Sequence, residues 1–252
     1  IVLPLGVELE QVLLERFSIG EPGEAPPFRV DRVAMSVSLR GSKLELKELA
    51  VNLPEPLVNA RAQGGAELTD DYPLDLTLSW DMAQDPAIRL QGQASMGGDL
   101  KRLTIQHELT GSAEVNLDAV VQSVLESPSW EGQVEILRVD LPAFQADLPD
   151  ADITGRLETK GDLDDASMSG ELNGEAPDLP DFGNLKAELD VTWSGKVLNI
   201  AALELTEDKS GAHLTAGGKV DLNEPDGSFE LAAAWEKLRW PLTGDLLAEA
   251  RQ

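Results

Sequence analysis

Cysteine is absent from all 252 residues. Disulfides, thiolate metal sites and cysteine nucleophiles are thereby excluded together. Histidine is nearly absent: His107 lies in "TIQHELT" and His213 in "SGAHLTAGG", with no second histidine at ligand spacing from either. No metal is expected. Aromatic residues make up only 4%, with Tyr72 the single tyrosine, so any apolar surface is built from Leu, Val, Ala and Ile. Basic residues are outnumbered, 20 against 46 acidic, for a net charge of −26. A surface of that sign repels phosphate backbones, which excludes DNA and RNA as partners.

Longer patterns are missing too. No apolar run reaches the roughly 18 residues of a membrane-spanning helix, and no cleavable leader is visible. The chain begins "IVLPLG" without methionine and reads as a piece of a longer protein whose anchoring or targeting segment lies outside it. A Gly-rich phosphate loop, a G-x-S-x-G nucleophile elbow and an H-E-x-x-H pair are all absent. The acidic clusters "LPDADI" and "GDLDD" lack the oxygen pattern of a calcium loop and read as solvated turns. Neither catalysis nor a cofactor is expected.

What is present is alternation. In "LDLTLSW" the residues Leu74, Leu76, Leu78 and Trp80 share one parity, and in "FELAAAW" Phe229, Leu231, Ala233 and Trp235 do the same. Period two marks a strand with one apolar and one wet face. Such segments recur between Gly, Asp, Asn and Pro turns, giving about fourteen or fifteen candidate strands. Two stretches read instead as helix: "NLDAVVQSVLES" at 116–127 and "TGDLLAEARQ" at 243–252, where Thr243 is a candidate cap.

The chain also repeats itself. "GDLKRLTIQHELTG" at 98–111 returns as "GDLDDASMSGELNG" at 161–174. A longer unit, residues 42–82, answers 195–235: Leu44, Leu46, Leu49, Gly64, Gly65, Leu68 and Trp80 align with Leu198, Ile200, Leu203, Gly217, Gly218, Leu222 and Trp235, with a one-residue slip between. Both copies break phase at one place, between Leu46 and Leu49 and between Ile200 and Leu203. "FRVDRVAMSV" does so between Val30 and Val33. A slip of one residue turns every later side chain to the other face, so each break predicts a bulge that restores a common interior.

Strands that cannot bury a face alone stack on their neighbours. The fold class expected is all-β, an elongated repetitive antiparallel or mixed sheet curled into an apolar trough, with one or two short helices and one continuous repeat region over 1–252. A closed sandwich is the competing geometry. The residues expected to line the trough are Leu44, Leu46, Leu74, Leu76, Leu78, Leu198, Ile200, Leu203, Leu214, Val220, Leu222, Phe229 and Leu231. Trp80 and Trp235, in phase with Leu76 and Leu231, fit packing into that surface better than an exposed sugar platform.

The phrases "DYPLDLTLSW", "LQGQASMGGDLKRLTIQHELTG" with its near copy "ITGRLETKGDLDDASMSGELNG", "LNIAALELT" and "WEKLRWPL" resemble the central repeats of the TamB and AsmA-like family of Gram-negative envelope proteins. The likeness spans roughly residues 28 to 242 and contains no catalytic signature. It implies a periplasmic protein, anchored in the inner membrane by a helix outside these residues, with a "β-taco" trough that conveys phospholipid toward the outer membrane. It also implies a TamA-like outer-membrane barrel partner, met through regions outside this chain, in the assembly of other barrel proteins. The alternative it leaves is a scaffold or chaperone for such strands, acting through edge pairing.

Overall fold

The computed structural model describes residues 6–19, 28–69, 71–84, 88–146, 148, 150–175, 183–222, 228–237, 239–240 and 248–249. The chain divides into two compact units, Ile1–Ser112 with Asn116–Glu126, and Ala113–Val115 with Ser127–Gln252. Both are all-β and antiparallel.

The first unit holds β1 (Val7–Ile19), β2 (Phe28–Arg40), β3 (Lys43–Pro54), β4 (Leu57–Glu67), β5 (Leu74–Gln84), β6 (Ile88–Gly98) and β7 (Arg102–Gly111), each hydrogen-bonded to the next in chain order. β8 (Ala113–Gln122) has its first residues in the second unit and the rest in the first. The second unit continues with β9 (Ser129–Val139), the single-turn α1 (Leu141–Phe144), β10 (Asp152–Asp162), β11 (Asp165–Glu175), β12 (Leu185–Ser194), β13 (Val197–Glu207), β14 (His213–Asp221) and β15 (Ser228–Glu236). A two-residue ladder of β16 (Arg239–Trp240) and β17 (Ala248–Glu249) follows. In neither unit does the first strand pair with the last, so neither sheet closes into a barrel.

Two of the three expected bulges are where the phase breaks put them. The β3–β4 register shifts between Leu46 and Leu49, and the β13–β14 register between Ile200 and Leu203. The third is not. β1 and β2 keep one register through Phe17↔Val30, Glu15↔Arg32 and Leu14↔Val33. Val30 therefore points to the opposite face from Val33 and is buried there, as is Ala34. The extra residues in this region lie on β1, between Leu9 and Val12, and on β3.

Within the longer repeat the strand register changes one correspondence. Leu46 faces Gly64 and Ile200 faces Gly218, so Gly64 corresponds to Gly218 rather than Gly217. Leu68 and Leu222 agree, their N–H groups donating to the carbonyls of Ser42 and Lys196 in equivalent turns. The slip thus falls after Leu68, because Leu76 answers Leu231 one residue later.

The shorter repeat is a hairpin turn. Asp99 Oδ1 accepts the N–H groups of Lys101 and Arg102 at 2.8 and 2.9 Å, and Asp162 Oδ1 accepts those of Asp164 and Asp165 at 2.9 Å each. Such an Asx turn is why Gly-Asp-Leu returns while the strand residues after it drift. The N–H groups of Arg102 and Lys101 hold the Asp99 carboxyl below the ordinary carboxylate range, and those of Asp165 and Asp164 do the same for Asp162.

The expected helix at 116–127 is not formed. Leu117, Val120, Val121, Val124 and Leu125 have helical spacing, but Val115, Leu117, Ala119 and Val121 also alternate, and pairing satisfies the second pattern. β8 runs to Gln122, after which the N–H groups of Ser123 and Val124 donate to Lys101 and Leu100. The expected helix at 243–252 is contradicted at Ala248–Glu249, which are strand; its remaining residues lie outside those described.

Candidate functional site

Register turns alternation into surface. In the first unit Leu9, Val37, Leu46, Gly64, Leu76, Met96 and Ile105 stand in one row across β1 to β7. The next row is Val12, Met35, Leu49, Ala62, Leu78, Ala94 and His107, and the one beyond it Leu14, Val33, Val51, Ala60, Trp80, Gly92 and Leu109. On the other flank run Val7, Leu39, Leu44, Ala66, Leu74, Gly98 and Leu103. These rows share one face. The opposite face is polar, with the Asn52 amide donating to Asn59 at 2.7 Å and Asn59 to Asp81 at 2.8 Å.

The second unit repeats the plan. Val134, Leu157, Gly170, Leu189, Leu203, Ala216 and Ala233 form one row, and Gly132, Thr159, Met168, Val191, Ile200, Gly218 and Leu231 the next. Trp130, Gly161, Ala166, Trp193, Leu198, Val220 and Phe229 form a third. A fourth is Ile136, Gly155, Leu172, Ala187, Leu205, Leu214 and Trp235. Large residues repeatedly face Gly or Ala across the strands. The small residue makes room: a Cβ on Gly64 would stand 2.9 Å from Leu76 Cδ2, and one on Gly218 2.8 Å from Leu231 Cδ2.

These faces are not the inside of a sandwich. Among the described residues the buried apolar side chains are Val30, Ala34, Ala113 and Ala212, and none belongs to the rows. Row residues of the inner strands are half-covered by their own neighbours, while edge strands β1 and β15 leave Leu14 at 53% and Phe229 at 77% exposure. Each unit is a single sheet with an apolar side.

The thirteen residues expected to line a trough thus fall into two groups. Leu44, Leu46, Leu74, Leu76 and Leu78 share the apolar face of the first unit. Leu198, Ile200, Leu203, Leu214, Val220, Phe229 and Leu231 share that of the second. Leu222 lies one residue past β14 and is exposed. Sequence reasoning missed the face residues of β9 to β12, such as Val134, Leu157, Leu172 and Leu189. The signal was there in "ITGRLETKG" and "MSGELNG", where glycine takes the place of a large residue at every second position or so.

Among the described residues each unit carries one tryptophan whose indole N–H is satisfied on this face, as a half-buried indole requires. Trp80 donates to His107 Nε2 at 3.2 Å, and Trp130 to Thr159 Oγ1 at 3.5 Å. Among the described residues no cluster of His, Cys, Asp and Glu could hold a metal, and no helix is long and apolar enough to cross a membrane.

Residues 1–217 match the family model described as TamB, N-terminal domain. The chain belongs to the TamB family. Membership gives this TamB-family chain a place and a role in the Gram-negative envelope. The matched model is that of the N-terminal domain, where the sequence phrases had pointed to the central repeats. No curated protein and no solved structure matches the chain.

One carboxylate breaks the apolar parity of this TamB-family sheet. Glu207, 2% exposed, ends β13 opposite Leu185. Its oxygens accept the N–H groups of Gly183 at 2.5 Å, Lys209 at 2.9 Å and Ser210 at 2.7 Å, and also the Ser210 hydroxyl. Burial opposes its ionisation, but the hydroxyl and N–H of Ser210 with the N–H groups of Lys209 and Gly183 outweigh that and lower its pKa below the ordinary 4.5. A group so lowered stabilises the fold above the ordinary value, and the contribution is lost as pH falls through the lowered one. Glu207→Gln is expected to destabilise the second unit by about 1–3 kcal/mol in urea unfolding at pH 7. The gap between variant and parent should shrink below pH 4.5.

Proposed function

We propose that this chain is a lipid-carrying segment of a periplasmic TamB-family protein, its apolar faces sheltering phospholipid acyl chains between inner and outer membrane. The observation that carries the reading is the uncovered apolar face of each sheet. Each methylene kept from water is worth about 0.8 kcal/mol, so an acyl chain of about fifteen methylenes needs shelter worth roughly 12 kcal/mol. Rows made chiefly of Leu, Val, Ile, Ala and Gly supply that without fixing a single pose. The acidic residues on the other face keep such a surface soluble. The work is transfer without catalysis, by a protein held at the inner membrane.

The test is native mass spectrometry on protein purified without detergent, followed by organic extraction. Phospholipid at reproducible stoichiometry is the expected result. A stable, lipid-free monomer would overturn it.

That outcome would favour the second reading, a scaffold for outer-membrane barrel assembly beside a TamA-like partner. What supports it is the character of the edges: β1 and β15 lack proline, alternate, and pair on one side only among the described residues. Such edges accept another strand.

A further inference from the structure

Within the apolar rows of the first unit, a single residue other than Trp80 carries a polar side-chain atom. It is His107. The ring lies nearly parallel to the Trp80 indole, with an interplanar angle of 8° and centroids 6.0 Å apart. Gly92, between them on β6, is buried, and a Cβ there would stand 2.2 Å from Trp80 Nε1 and 2.7 Å from His107 Nε2. The glycine is what lets the two rings meet across an intervening strand.

The contact fixes the tautomer. An indole nitrogen can only donate, so His107 Nε2 is the acceptor at 3.2 Å and the imidazole proton sits on Nδ1. Among the described residues Trp80 is the only hydrogen-bond partner of the His107 imidazole. Nδ1–H is thus a donor on a half-buried ring, and the neighbours Ala94, Gly92 and Leu109 in the rows carry no side-chain acceptor. Water satisfies such a donor on a bare face. Acyl chains laid over the face would exclude that water and leave the donor unpaired, which is unfavourable unless the ligand itself brings an acceptor.

We propose that His107 Nδ1–H is the hydrogen-bond donor to an acyl-ester carbonyl of a glycerolipid seated on the first unit, marking where hydrocarbon gives way to the ester region. The inference rests on the lipid-carrying reading and adds a fixed point to it. The ester carbonyl suits the position because it is the acceptor directly joined to the hydrocarbon, and an acceptor without charge needs no counterion on an apolar surface.

The experiment compares binding of a diacyl phosphatidylethanolamine with its dialkyl ether analogue of equal chain length, read by native mass spectrometry in competition. The parent is expected to favour the ester about fivefold, the worth of one net hydrogen bond. His107→Leu should bring the ratio close to one. His107→Gln should retain most of the preference, since its amide can accept from Trp80 and still donate. Nitrogen NMR of the parent should show the His107 proton on Nδ1. Equal binding of ester and ether by the parent, or a preference that survives His107→Leu, would overturn the ester contact and leave the lipid reading standing. Binding of neither lipid would overturn both.

Discussion

Leu76→Asp is expected to strip co-purifying phospholipid from the first unit, by at least about tenfold, while its far-ultraviolet circular dichroism remains that of a sheet. Leu76 stands near the middle of its row, between Gly64 and Met96. A carboxylate there has no partner on an apolar face and would be covered by hydrocarbon whenever a lipid is bound, a cost far larger than one lost methylene contact. In the free protein the same carboxylate keeps access to water, because the face is uncovered, and the sheet tolerates it. Thr77→Asp is the matched control: Thr77 faces the polar side and is exposed, and lipid occupancy should not change. Leu231→Asp should act in the second unit as Leu76→Asp does in the first. Lipid retained in full by Leu76→Asp would sink the assignment of this face, and unfolding of both variants would show that the rows serve only as packing.

The largest stability effect is expected at Gly64. Its φ of +151° is one that L side chains rarely adopt, and an added Cβ would fall 2.1 Å from the Asp75 carbonyl oxygen and 2.8 Å from Leu76 Cα. Those are backbone atoms of the paired strand and cannot swing aside. Gly64→Ala is expected to cost about 2–4 kcal/mol, with the melting temperature of the first unit falling by on the order of 10 °C. Gly97→Ala, on β6 of the same sheet, meets nothing within 4 Å and should stay within about 0.5 kcal/mol of the parent. Thermal unfolding followed by circular dichroism separates the two. Equal melting of both variants would mean that the close approach of β4 and β5 at Gly64 is not what sets the register there.

Gly64 also shows how far the sequence could be read. The repeat placed it beside a second glycine in each copy, but matching letters alone paired it with Gly217. Only the register, Leu46 to Gly64 and Ile200 to Gly218, identified which glycine faces the large side chain. The phase breaks at Leu46 and Ile200 were legible because a parity change is visible within five residues of chain. The similar break at Val30 misled, since a strand can also turn its side chain to the other face and bury it there without any bulge. The segment 116–127 fits helical and strand periods at once, and nothing local chooses between them. His107 looked inert because its partner, Trp80, is 27 positions away and they are joined only through Gly92. Glu207 gave no sign at all: its donors come from Gly183 and from the turn after β13.

The sequence by itself determined that the protein is built of strands, that each strand has one apolar side, and that two of the bulges fall where they do. Alternation and parity are properties of consecutive residues, and backbone geometry converts them directly into faces. Tertiary structure alone decided that the apolar sides align into rows, that large residues meet glycine or alanine across strands, and that these faces stay uncovered within each unit. Register and coverage are set by pairing between residues far apart in the chain, where many arrangements satisfy the same local pattern and the fit of side chain against neighbouring strand selects one.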